Sequence, residues 1–254
     1  MNIIVPMAGR GSRLRPHTLT IPKPLLPVGG KPIVERLVED IVAMSAEPVE
    51  EIAFVIGDFG AETEAQLLAM AERLGAKGHI CHQEEPLGTA HAILCGKACL
   101  KGPVVVAFAD TLFRADFTIN PDADGVLFVK QVDDPSAFGV VVTDAQGAIE
   151  DYVEKPSEFV SDLAMIGIYA FKDGERLQTE LQKLIDHNII KGGEYQLPDA
   201  LRNMTQSGLK FEPGRVTEWM DCGNKVATVE TNQRILTLTA DEASIPASAN
   251  ISES

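Results

Sequence analysis

The sequence predicts an α/β protein with a Rossmann-like, mostly parallel mixed sheet flanked by helices, built as a single domain. Three observations carry this. Strand-like and helix-like segments alternate from Asn2 to Asp110. The strand segments are short apolar runs, the pattern of strands covered on both faces. A glycine-bearing loop follows the first strand directly, where open α/β sheets place their ligands.

The elements follow in order. "NIIVPM" (Asn2–Met7) reads as a buried strand. From Ala8 to about Gly30, Pro16, Pro22, Pro24 and Pro27 keep the chain out of helix. "KPIVERLVEDIVAM" places Ile33, Leu37, Val38, Ile41, Val42 and Met44 at helical spacing, with Pro32 where a first turn tolerates it. Glu51–Gly57 is a second strand and Ala61–Leu74 a second helix ended by Gly75. "HICHQ" is a third strand, Thr89–Leu100 a third helix, and "VVVAFAD" a fourth strand ending at Asp110. Such units imply a parallel sheet. The 8–30 loop, the 84–89 loop and Asp110 are therefore expected to converge at one edge.

The second half is less regular. Gly125–Val132, Gly139–Thr143, Ile149–Glu154 and Met165–Phe171 read as strands, and "DAQG" (Asp144–Gly147) as a turn. Helices are predicted near Glu175–His187 and Leu197–Met204, a strand pair around Lys210–Met220, and a last helix from about Lys225 to Leu238. The domain is expected to span 1–240. The Ser/Ala-rich, acidic tail 241–254 is expected to be disordered. There are no internal repeats, and too few residues follow Met220 for a β-helix domain.

Charge is unevenly placed. The chain has 22 Lys+Arg against 37 Asp+Glu, a formal net charge of −15. Yet Met1–Val34 holds five cations (Arg10, Arg13, Arg15, Lys23, Lys31) and no carboxylate, the first being Glu35. The acidic body disfavours nucleic acid and anionic membranes. The basic loop asks for a small anion, since uncompensated cations repel one another. No apolar run reaches the roughly 20 residues of a membrane helix. No export signal is present, so a cytoplasmic location is expected. Four cysteines (Cys81, Cys95, Cys99, Cys222) match no common zinc spacing, "HICH" notwithstanding, and read as core residues.

Gly9 and Gly11 let backbone N–H groups approach an anion closely. The G-x-G-x-x-G pattern fails, since Leu14 stands at its third glycine and no acid occurs before Glu35. The ATPase phosphate loop is absent too. A G-x-G loop alone is equally a surface turn; Arg13, Lys23 and the missing acids favour phosphate.

"AGRGSRLRPHTLTIPKPLLPVGGKPIV" (Ala8–Val34) resembles the signature of the sugar-1-phosphate nucleotidylyltransferases, G-x-G-[ST]-R-L-x-P-x-T-x-x-x-P-K-P-L-x-P-V-x-x-K-P. "QEEPLGTAHA", "FADTLF", "FGVV", "VEKP", "IGIYAF", "GGEYQLPDAL" and "WMDCGN" match in order, to about residue 225. The resemblance implies a nucleotide-binding half at about 1–115 and a sugar-binding half at about 116–225. It implies a Mg²⁺-dependent transfer from a nucleoside triphosphate to a sugar 1-phosphate, with catalysis by positioning and charge neutralisation. Arg13 and Lys23 become the catalytic cations, with Ala8, Gly9, Gly11 and Ser12 as the backbone cradle. Arg10 and Arg15 are neighbours without an assigned contact.

Asp110, otherwise a turn former, and Asp221 become the metal carboxylates, a donor set that suits Mg²⁺. Ala109 departs from the family's usual glycine. Glu154 and Lys155, otherwise an exposed ion pair, become the sugar-site pair, with Gly139 and Gly167 where the sugar approaches the backbone. Gln83, five residues before Gly88, matches the glutamine that reads a pyrimidine, which favours dTTP or UTP with a glucose-type 1-phosphate. "EEPLGTA" also resembles mannose-1-phosphate guanylyltransferases, although Met165-Ile166-Gly167 replaces their Asn-Ala-Gly. Phosphocholine cytidylyltransferases and a non-catalytic nucleotide-sugar sensor stay open as alternatives. Many relatives assemble through the second half, so a homo-oligomer is admitted without a fixed stoichiometry.

Overall fold

The computed structural model describes residues 1–9, 11–117, 119–120 and 123–242, with residues 241 and 242 described by their backbone only. Arg10 and the 243–254 part of the tail lie outside the described residues.

Strand β1 (Asn2–Pro6) is buried at every residue. The proline-rich segment after it is not plain loop. It makes single 3-10 turns at Ser12–Leu14, His17–Leu19 and Lys23–Leu25, then the two-residue strands β2 (Pro27–Val28) and β3 (Lys31–Pro32). Prolines exclude a long helix but not one tight turn. Next come α1 (Ile33–Met44), β4 (Glu51–Ile56), α2 (Ala61–Arg73), β5 (Lys77–His82) and α3 (Thr89–Cys95). Helix α3 stops earlier than expected. Gly96 interrupts it, and Lys97–Cys99 continues as a 3-10 turn. A β-carbon on Gly96 would lie 3.2 Å from Ile4 and 3.4 Å from Ala53, so the chain turns where it presses closest on the sheet.

The remaining elements are β6 (Val104–Ala107), β7 (Thr111–Arg114), β8 (Gly125–Gln131), β9 (Gly139–Thr143), β10 (Ile149–Glu154), β11 (Leu163–Phe171), α4 (Gly174–Asp186), α5 (Leu197–Gln206), β12 (Phe211–Arg215), β13 (Glu218–Asp221) and α6 (Lys225–Glu242). Two expectations are corrected. Asp110 is not the end of a strand: β6 stops at Ala107, and Asp110 stands in the turn into β7. The segments around 210–220 do not pair with each other. β12 joins β8 in the main sheet, while β13 pairs with β7 in a separate ribbon.

The main sheet has nine strands: seven along the path β10-β9-β11-β6-β1-β4-β5, with β8 attached to β11 and β12 to β8. β6, β1, β4 and β5 are mutually parallel, and β11 joins β6 antiparallel. β11 can serve several neighbours because it bends. Ile168–Phe171 pairs with β6, Ala164 faces β9, and a bulge between Met165 and Tyr169 interrupts its pairing with β8. Alternate strand residues feed two cores. Ile3, Val5 and Phe54 pack under α1 and α2; Ile4, Ala53 and Val55 pack under α3, α4 and α5. This two-sided burial explains the unbroken apolar runs. It also leaves the carboxyl ends of β1, β4 and β6 free to hold a site.

Candidate active site

A cleft of about 360 Å³ opens at that edge. Its lining joins Ala8, Gly9, Gly11, Ser12, Arg13 and Lys23 to Gln83 and Gly88 and to Asp110. The three segments expected to converge do so. The first loop holds its shape through Gly11, which adopts φ +58°. Its carbonyl accepts the Thr18 hydroxyl at 2.8 Å, and a β-carbon on Gly11 would lie 2.8 Å from Lys23 Cβ. The glycine therefore folds the loop onto the Lys23 stem and brings both cations to one wall.

Lys23 Nζ donates to Asp110 Oδ2 at 3.0 Å. The lysine side chain is 14% exposed and the aspartate 49%. Cys222 N–H donates to the Asp110 carbonyl at 2.8 Å, which seats the end of β13 beside the Asp110 turn. Asp221 follows in that register, paired with Thr111 across the ribbon. Burial pushes the Asp221 carboxyl above its ordinary range, and the nearby Asp110 charge adds to this. The Gly223 N–H, bound at 2.7 Å, and the Lys23 and Arg13 charges act the other way. Two carboxylates and two phosphate-seeking cations thus share one field.

The donor chemistry fits a hard divalent cation. Asp110 and Asp221 are separated in sequence, offer only oxygen, and repel each other, and an ammonium group stands at one of them. Asp221 does not itself line the cleft; its neighbour Gly223 does.

At the other end, the Gln83 side-chain nitrogen lies 3.2 Å from the Gly88 carbonyl and 3.1 Å from His91 Nδ1. Both amide hydrogens are engaged when His91 carries its proton on Nε2, leaving the amide oxygen for the cleft. Gly88 has φ +109°, and a β-carbon there would meet the Tyr195 carbonyl oxygen at 2.5 Å. The 86–90 segment is laced to that strand of chain by Tyr195 N–H to the Leu87 carbonyl and Ala90 N–H to the Tyr195 carbonyl, at 2.8 and 3.0 Å.

The residues expected to face the sugar, Gly139, Glu154, Lys155 and Gly167, lie outside this cleft's lining. Gly139 opposes Glu154 across β9 and β10, and a β-carbon on Gly139 would crowd Glu154 Oε2 at 2.7 Å. Lys155, at φ +44°, pairs with Glu154 at 3.8 Å, both exposed. The Gly167 carbonyl accepts Phe108 N–H at 2.9 Å and so backs the cleft wall that Phe108 lines. Buried Tyr169 links the two regions: after burial, the Glu154 and Asp110 charges both raise its phenol pKa. Sequence reasoning did not single out Phe108, Glu194 or His91. Glu194 sits in "GGEYQLPDAL" and lines the cleft, but residue type alone marks no acid as facing this cleft.

Residues 2–237 match the nucleotidyl transferase family profile. The chain belongs to the nucleotidyl transferase family. Among relatives in that family, "Bifunctional protein GlmU" of Methanococcus aeolicus is 31% identical over 93% of this chain and 54% of its own length. "Mannose-1-phosphate guanylyltransferase catalytic subunit beta" of Drosophila melanogaster is 30% identical over 87% of this chain and 58% of its own. The chain thus spans a little over half of these relatives. The crystal structure of apo-UDP-glucose pyrophosphorylase superimposes with a TM-score of 0.75 at 25% identity, covering 94% of this chain and 98% of that one. Among the described residues, no helix is long and apolar enough to cross a membrane.

Proposed function

We propose that this nucleotidyl transferase moves a nucleotidyl group from dTTP or UTP to a hexose 1-phosphate, giving an NDP-sugar and pyrophosphate. The observation that carries the reading is the meeting of Arg13, Lys23, Gly9, Gly11 and Ser12 with Asp110 in one cleft. An oxygen of the sugar phosphate attacks the α-phosphorus in line, and the α–β phosphoanhydride bond breaks. No protein nucleophile is required, so the residues act by holding and neutralising. Arg13 and Lys23 stabilise the triphosphate and the leaving pyrophosphate. Asp110 and Asp221 would hold Mg²⁺, which would supply neutralisation of the reacting phosphates when bound. Glu154 accepts hydrogen bonds from sugar hydroxyls, and Lys155 binds the sugar phosphate.

The base choice rests on Gln83. With His91 protonated on Nε2, the Gln83 amide hydrogens are taken by Gly88 and His91 and its oxygen accepts a ring N–H. Uracil and thymine carry one at N3, whereas cytosine and adenine carry none on that ring edge. Guanine carries one at N1, so GTP with mannose 1-phosphate is the second reading, favoured by the likeness to the Drosophila relative. Pyrophosphate release is measured with five nucleoside triphosphates against a panel of sugar phosphates, with and without Mg²⁺. Release only with a uracil or thymine nucleotide, both substrates and Mg²⁺ is the expected result. No release with any pair sinks the enzyme reading in favour of a sensor.

A further inference from the structure

At the end of the sheet opposite the cleft, Glu51, His79 and Cys99 bring an oxygen, a nitrogen and a sulfur within 4.8 Å of one another. The geometry points to a second metal site here, for a thiophilic first-row divalent ion of which Zn²⁺ is the best fit.

Sheet register builds the cluster. Glu51 opens β4, and His79 on β5 pairs with Ala53, two residues further along the same face. That face packs against α3 and the 3-10 turn, which delivers Cys99. The turn is anchored: Asn2 Nδ2 donates to the Cys99 carbonyl at 3.0 Å, and Cys99 N–H donates to the Gly96 carbonyl at 2.9 Å. The three ligands thus come from three elements whose backbones are already in place.

Distances suit tetrahedral zinc. With Zn–N and Zn–O near 2.0–2.1 Å and Zn–S near 2.3 Å, ligand atoms sit roughly 3.3–3.6 Å apart. Glu51 Oε1 lies 3.5 Å from His79 Nε2, and Glu51 Oε2 lies 3.5 Å from Cys99 Sγ. These contacts use the two different oxygens of one carboxylate, so the Glu51 carboxylate must turn to serve one ion, and the three ligand atoms, within 4.8 Å of one another, must draw in. His79 Nε2 is moreover buried, and its only near acceptor is Glu51 Oε1 at 3.5 Å, a long and poorly aligned contact. A metal between the two would satisfy the ring nitrogen better than that contact does. Thiolate, imidazole and carboxylate together select zinc-like ions over Mg²⁺.

The proton balance is defined. Burial and the Glu51 carboxylate push the Cys99 thiol up to about 12, so the thiol is neutral before loading. Binding forms the S–metal bond and releases that proton to solvent. Lys101, which acts electrostatically on both Glu51 and Cys99, is the opposing charge. A water is left to complete the fourth position. The loaded ion ties β4, β5 and the end of the α3 segment together, a structural role independent of the cleft.

The test is Co²⁺ titration of the whole reduced chain in excess Mg²⁺, which occupies oxygen-only sites. One equivalent should bind with a thiolate-to-metal charge-transfer band and tetrahedral d–d bands, be displaced by Zn²⁺, and raise Tm. Cys99→Ser should abolish the charge-transfer band. His79→Gln, at a half-buried position, should weaken Co²⁺ affinity at least about tenfold, the minimum expected when even an outer-shell partner costs 10–100-fold. Absence of the band in the wild type, its survival in Cys99→Ser, or unchanged affinity in His79→Gln each overturns the site.

Discussion

Lys23 Nζ lies 3.0 Å from Asp110 Oδ2, joining residues 87 positions apart into one ion pair at the mouth of the cleft. The pair is half in solvent on the aspartate side, so its contribution to stability is about 0–1 kcal/mol. On the proposed mechanism its value is positional: the ammonium would stand where phosphate charge develops. Lys23→Ala should lower turnover roughly 10²–10³-fold, the cost of removing one transition-state donor, while leaving Tm nearly unchanged. Steady-state kinetics beside a thermal melt reads both. Near-wild-type turnover removes Lys23 from the catalytic set.

Asp221 is held under opposing demands. Burial and the Asp110 charge raise its pKa, so its folded-state value exceeds the unfolded one. A raised acid contributes stability that is complete below the unfolded pKa and lost as pH rises through the folded value. Above that range the ionised carboxylate opposes folding in the metal-free protein. Asp221→Asn keeps an oxygen for the Gly223 N–H and removes the charge. With chelator at neutral pH it should raise Tm by a few degrees, the scale of about 1 kcal/mol in a chain this size. The gain should vanish in acid, and turnover should be lost. A lower Tm at neutral pH contradicts this account.

Gly88→Ala puts a methyl group against backbone rather than against a flexible side chain. The 86–90 and 194–195 segments must separate, at a cost of roughly 1–3 kcal/mol for the strained backbone. Tm should fall and KM for the nucleotide should rise, because Gln83 loses the carbonyl that orients it. Unchanged KM with lowered Tm would confine Gly88 to a structural role.

Gln83→Glu removes both amide donors and sets a negative charge against the Gly88 carbonyl. The carboxylate is repelled from the Gly88 carbonyl and no longer held toward the base, so KM for the preferred nucleotide should rise about 10–100-fold, the scale of about 1–3 kcal/mol for leaving a buried polar partner unsatisfied. Discrimination among bases should weaken with it. Competition between nucleotides in one reaction measures the ratio directly.

Much of the first half was legible because its signals are local. Val5, Phe54 and Val106 sit in apolar runs that only a two-sided core accommodates. Pro32 and Gly75 punctuate helices by backbone chemistry. The spacing of Gly9, Gly11, Arg13 and Lys23 likewise needs no partner to be read. The second half was less legible because β12 and β13 take partners, β8 and β7, that lie 80 to 110 residues away, and no local signal names them. β7 itself is four residues long and passed unnoticed.

Residue chemistry and spacing alone determined the α/β class and the basic loop, since these depend on side-chain type and short-range backbone preference; Asp110 and Asp221 were singled out by the resemblance of their motifs to the family. Tertiary structure decided that Lys23 meets Asp110, that the Gln83 amide is turned by Gly88 and His91, and that Glu51 joins His79 and Cys99. Each of these relations rests on strand order and register. Those are settled by burying two faces of one sheet at once, a condition no single segment carries.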